Sequence, residues 1–66
     1  MKIRVNGTIR EVPSGTNVEK LMDLFQLTKR SVVLELNRKV LARNSFPDIQ
    51  LKDDDMVEIV HFVGGG

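Results

Sequence analysis

Thr16-Asn17-Val18-Glu19-Lys20-Leu21-Met22-Asp23-Leu24-Phe25 decides the architecture. Val18, Leu21, Met22 and Phe25 recur at i, i+3, i+4 and i+7, the stripe of a helix that is apolar on one side. Thr16 and Glu19 have the spacing of a capping box, in which the Thr16 hydroxyl accepts the Glu19 amide and the Glu19 carboxylate reaches back. The spacing predicts a helix from about residue 17 to residue 26. The other periodic stretches read as strands, so one helix must serve the whole core.

Toward the start of the chain, residues 2–5 alternate polar and apolar, with Ile3 and Val5 on one face. Asn6-Gly7 is the residue pair of a type I′ hairpin turn, because both tolerate positive φ. Residues 8–12 then return as the second strand. A two-residue loop sets Ile3 opposite Arg10, which places Arg10 on the core side; a longer turn or a bulge would shift that register. Val12 is the expected core residue of this strand and Ile9 the exposed one. Pro13-Ser14-Gly15 ends it.

Toward the end of the chain, residues 31–37 form the clearest interior strand. Val32, Leu34 and Leu36 share one face, Val33 and Glu35 the other. Val40-Leu41 is a stub of strand, and residues 44–51, with Pro47, read as a loop holding one helical turn. Residues 52–55 make a polar turn, and residues 56–63 a last strand rich in β-branched side chains. One helix covers one face of such a sheet, so its stripe should lie across Ile3, Val5, Leu34, Leu36, Val57 and Ile59. This is the α+β order of the β-grasp (ubiquitin-like) fold. It implies a mixed four- to five-stranded sheet with one long helix packed on one face, and first and last strands parallel at the centre. Residues 1–63 are expected to form the β-grasp domain and residues 64–66 a flexible glycine tail.

Composition narrows the function. At 66 residues there is room for one domain, and a pocket of the usual ~300–1,000 Å³ would hollow out its thin core. An enzyme with an enclosed active site is not expected. Ten Lys and Arg against nine Asp and Glu leave a net charge of +1, which offers no broad field to nucleic acid or to a membrane surface. With no Cys there is no disulfide framework, thiolate zinc site or Cys nucleophile, and a reducing compartment is favoured. No stretch has the form of a signal peptide or membrane span, so the expected location is cytoplasmic.

The residues able to carry chemistry lie at the end. Gly64, Gly65 and Gly66 lack side chains to pack and lose the most backbone entropy on ordering. They suit an extended arm that enters a partner's narrow channel and presents the Gly66 carboxylate for activation by ATP. Along the last strand Val57 and Ile59 point one way, and Glu58, Val60 and Phe62 the other. Val60 and Phe62, with Val33, are then apolar groups on the uncovered face beside the arm, the expected partner interface. His61 reads as an ordinary strand histidine. Asp53-Asp54-Asp55 lacks the further ligands of a cation loop and reads as a solvated turn, so no metal site is expected. Lys29-Arg30 and Arg38-Lys39 are basic doublets without interleaved aromatics, suited to a solvated surface.

These features resemble one family along essentially the whole length. Ile3-x-Val5-Asn6, Thr16-x-Val18-x-x-Leu21-Met22-x-x-Phe25, Val33-Leu34-Glu35-Leu36-Asn37 and Val40-Leu41-Ala42-Arg43 are similar to the thiamin-biosynthesis sulfur carrier family, ThiS. Asp54-Asp55-x-Val57-Glu58-Ile59 and the final Gly65-Gly66 extend the resemblance. It implies a carrier and not an enzyme. A ThiF-like adenylating partner would use ATP and magnesium, neither held by this chain, to adenylate Gly66. Sulfur from a persulfide donor would make the Gly66 thiocarboxylate, and a ThiG-like thiazole synthase would take that sulfur. The free carrier is expected to be a monomer. The alternatives are the small subunit of molybdopterin synthase, which shares the tail chemistry, and a β-grasp module that only docks.

Overall fold

The computed structural model describes residues 1–61; Phe62 and the expected tail, Gly64 to Gly66, lie outside the described residues. Five strands appear in chain order with one α-helix among the described residues: β1 (Lys2–Val5), β2 (Thr8–Glu11), α1 (Val18–Leu24), β3 (Val32–Leu36), β4 (Lys39–Val40) and β5 (Met56–His61). The sheet order is β2-β1-β5-β3-β4. β1 and β5 run parallel at its centre, with Arg4 opposite Met56 and Val5 opposite Val57, while the other neighbours are antiparallel. This is the β-grasp arrangement that the order of elements predicts.

Local chemistry explains the hairpins. Asn6 (φ 49°) and Gly7 (φ 83°) both take the left-handed conformation of a type I′ turn. The β3–β4 turn does the same with Asn37 (φ 51°) and Arg38 (φ 73°). The two-residue loop at Asn6-Gly7 keeps an unbroken register, Ile3 opposite Arg10 and Val5 opposite Thr8, so neither a longer turn nor a bulge is present. Arg10 therefore belongs to the helix side of the sheet and yet is exposed, because β2 is an edge strand. Its guanidinium sits 5.4 Å from the centroid of the Phe25 ring, so the charge stays wet while covering an aromatic rim.

The helix cap differs from the capping box. Asn17 is the cap, its Oδ1 accepting the Lys20 amide at 2.7 Å. The Thr16 hydroxyl instead donates to the Pro13 carbonyl at 2.6 Å, and Glu19 faces Lys29 at 3.7 Å. The turn at Pro13-Ser14-Gly15 brings that carbonyl within reach, so Thr16 is buried there and unavailable to the helix. The helix is shorter than its period suggests. Gln26 takes φ 57° and ends it in a Schellman motif, with the Leu27 amide donating to the Met22 carbonyl and the Gln26 amide to that of Asp23.

Val18, Leu21 and Met22 are buried against Ile3, Val5, Val32, Leu34, Val57 and Ile59, as the stripe requires; Phe25 and Leu36 are half-buried at the margin. Val12 is core and Ile9 exposed, as expected. Two core residues, Phe46 and Leu51, are unanticipated. The segment read as a loop holds a 3-10 turn, Arg43–Asp48, which brings Phe46 to full burial under the helix. Three hydrogen bonds stitch this segment to the helix start: Asn17 Nδ2 to the Pro47 carbonyl, the Val18 amide to the Ile49 carbonyl, and the Leu51 amide to the Thr16 carbonyl. No helix among the described residues is long and apolar enough to cross a membrane.

Candidate functional site: the open sheet face and the end of β5

Alternation along β5 separates two environments. Val57 and Ile59 point into the core, while Glu58 and Val60 stand on the face that carries no helix. Val33 lies directly opposite Val60 on β3, so these two predicted interface residues are neighbours. Val60 is 56% exposed, whereas Val33 is half-buried. The same pairing puts Glu35 opposite Glu58 and Val40 opposite Glu35, which extends this mixed apolar and acidic strip to the sheet edge. Phe62, the third predicted interface residue, lies outside the described residues, as do Gly64, Gly65 and Gly66.

The end of β5 is held differently on its two sides. On the β3 side pairing continues to His61, opposite Val32. On the β1 side backbone pairing stops where the chain turns away at Asn6, whose amide donates to the Val57 carbonyl at 2.9 Å. The Asn6 side chain takes over, accepting the Ile59 amide at 2.7 Å and donating to the Ile59 carbonyl at 3.1 Å. At the other end of β5, Asn37 accepts the Met56 amide at 2.9 Å through its side chain and donates to Asp55 at 3.0 Å. Sequence reasoning assigned Asn6 to its turn alone and missed this second role.

The remaining candidates resolve into structure. Asp53 accepts the Lys2 amide and Asp55 the Lys52 amide, each at 2.7 Å, so the acidic run shapes its turn. Among the described residues no group of acidic or histidine side chains could hold a metal ion. His61 is exposed on the strand.

The model of the ThiS family matches residues 3–66. The sulfur carrier protein ThiS of Bacillus subtilis is 38% identical over 53 residues, which is 80% of this chain and 79% of that one. A thiazole synthase of Magnetococcus marinus is 36% identical over all 66 residues, yet the chain spans only 20% of its length. A second thiazole synthase, from Paramagnetospirillum magneticum, is 33% identical with the same coverage. The crystal structure of a thiamine biosynthesis protein (ThiS) from Geobacter metallireducens superposes with a TM-score of 0.85, at 36% identity and with both chains fully covered. With the fold, the length matched and the identity in agreement, the chain belongs to the ThiS family.

Proposed function

We propose that this chain is a sulfur carrier for thiamin thiazole synthesis, and not itself an enzyme. The observation that carries the reading is the full-length likeness to a ThiS of known structure, together with a family match that runs through Gly66. In this reading the Gly66 carboxylate attacks the α-phosphorus of ATP on a ThiF-like enzyme, with magnesium as that enzyme's cofactor, and pyrophosphate leaves. The terminal sulfur of a persulfide donor then attacks the activated carbonyl carbon and AMP leaves. A thiol reduces the resulting acyl disulfide, which leaves a thiocarboxylate on Gly66. Glycine suits the reacting position because no Cβ shields its carbonyl or widens the arm.

The acceptor in this reading is a thiazole synthase. Support comes from the two thiazole synthases that contain a segment matching the whole of this chain. The adenylating enzyme is the proposed occupant of the open face at Val33 and Val60. Those residues lie on β5 and its neighbour, and β5 leads directly into residues 62–66, so one surface would dock while the arm is delivered. Phe62 continues the same alternation in sequence and is assigned to this interface with them. Cytoplasmic placement is part of the same reading, supported by the absence of cysteine, which suits a reducing compartment.

The test is delivery. Protein loaded with sulfur by the adenylating enzyme, ATP and a persulfide source is mixed with thiazole synthase and its other substrates. Thiazole formation that tracks the loss of the thiocarboxylate mass is expected. Loading without any transfer to thiazole synthase, or transfer to a molybdopterin precursor instead, would overturn the thiamin assignment.

A further inference from the structure

We propose that Asn6 is a positioning residue for the sulfur-loading reaction: its side-chain amide fixes the direction in which β5 leaves the sheet toward Gly66. The inference rests on the reading of Gly66 as the reacting end.

The turn does not itself demand this side chain. Asn6 sits at φ 49°, which glycine adopts at least as readily, and Gly-Gly also serves a type I′ turn. What glycine lacks is the pair of contacts to Ile59, which lies 53 residues away. A primary amide carries a donor and an acceptor side by side, the same inventory as a peptide unit. Asn6 therefore adds one more rung to the β1–β5 ladder after the β1 backbone has turned away. An aspartate there could accept from the Ile59 amide but could not donate to its carbonyl.

The consequence is mechanical. Past Val57, β5 has a backbone neighbour only on the β3 side, and a strand held on one side swings in the plane of the sheet. Ile59 stands seven residues before Gly66, a span of up to about 23–25 Å when extended. Drawn out in a partner's channel, an arm at its full extended reach has no slack, so a shift of its root at Ile59 passes on to the Gly66 carboxylate. Misplacing a reacting group by about 1 Å can already cost on the order of a hundredfold in rate. The proposed docking face is on the same strand, at Val60 and on its neighbour at Val33, so the clamp also sets the angle between the docked surface and the arm.

The protein supplies its own control. Asn37 also occupies a left-handed turn position and also hydrogen-bonds β5, but at Met56, ten residues before Gly66 and at the far end of the strand. Both clamps support the fold, and only the Asn6 clamp adjoins the arm.

The experiment compares wild type, Asn6→Gly and Asn37→Gly. Pyrophosphate release is measured with the ThiF-like enzyme and ATP, and amide hydrogen exchange is measured at Ile59. For Asn6→Gly, kcat should fall about 10–100-fold while KM stays within about threefold, because docking is intact and the reacting carboxylate is misplaced. Asn37→Gly should keep both constants within about twofold, at a comparable loss of melting temperature. Exchange at Ile59 should quicken at least tenfold in Asn6→Gly alone. Equal kcat values for the two variants, or unchanged exchange at Ile59 in Asn6→Gly, would overturn the proposal. If wild type itself supports no pyrophosphate release, the Gly66 reading falls and takes this inference with it; the exchange data then still decide whether the clamp exists.

Discussion

Val57 and Val60 are the same residue on the same strand, three positions apart, and they meet opposite fates. Val57 is fully buried and Val60 is 56% exposed. The difference comes from the rest of the described residues, which supply one α-helix and therefore one cover. The helix and the Arg43–Asp48 turn close one face of the sheet and leave the other open. Apolar residues on the closed face are explained by folding. Those on the open face at Val33 and Val60 are not, and the proposed docking of an adenylating enzyme accounts for them.

Substitutions on the two faces should therefore separate stability from association. The largest effect belongs to the closed face. Phe46→Ala empties a fully buried site and should cost about 3–5 kcal/mol. Total stability for this length is on the order of 3–10 kcal/mol, so a large unfolded fraction is expected by circular dichroism at 25 °C. A melting curve like that of wild type would mean that Phe46 does not complete the cover. Val60→Ser on the open face should change stability by no more than about 0.5 kcal/mol. It should nevertheless weaken binding to the adenylating enzyme by about 5–30-fold, the loss of about 1–2 kcal/mol of apolar burial. Titration calorimetry reads this directly, and unaltered affinity would remove Val60 from the interface.

The smallest effect concerns where the cover stops. Gln26 holds a left-handed conformation at φ 57° to end the helix, which is strained for any residue with a Cβ. Gln26→Gly should stabilise the domain by about 0.5–1 kcal/mol and raise the melting temperature by roughly 2–8 °C. A drop would show that the helix end is fixed by something other than this Schellman turn.

Local signals in the sequence carry much of this structure. Asn6-Gly7 specifies its hairpin because two positive φ values are needed at adjacent positions, and few residue pairs accept them. The stripe from Val18 to Met22 and the alternation of β5 specify which faces meet, since one helix can cover only one side. What was not legible needed contacts between distant parts of the chain. Phe46 sits in a 3-10 turn beside Pro47, where no period marks the buried side. Thr16 and Asn17 are both competent caps, and the Pro13 carbonyl decides between them by engaging Thr16. The candidate site divides in the same way. Val33 and Val60 follow from alternation, while the Asn6 clamp joins residues that only the parallel pairing of β1 and β5 brings together.

The central claim is that sulfur rides on the carboxylate of Gly66. Intact-protein mass, after incubation with the adenylating enzyme, ATP and a persulfide source, tests it most directly when wild type is compared with a chain lacking Gly66. Removing one extended residue leaves the carboxylate about 3.3–3.6 Å short of the nucleotide, beyond what an in-line attack tolerates. Wild type should exchange one oxygen for sulfur, and the shortened chain should keep its original mass. Equal gain of sulfur by both would contradict the account.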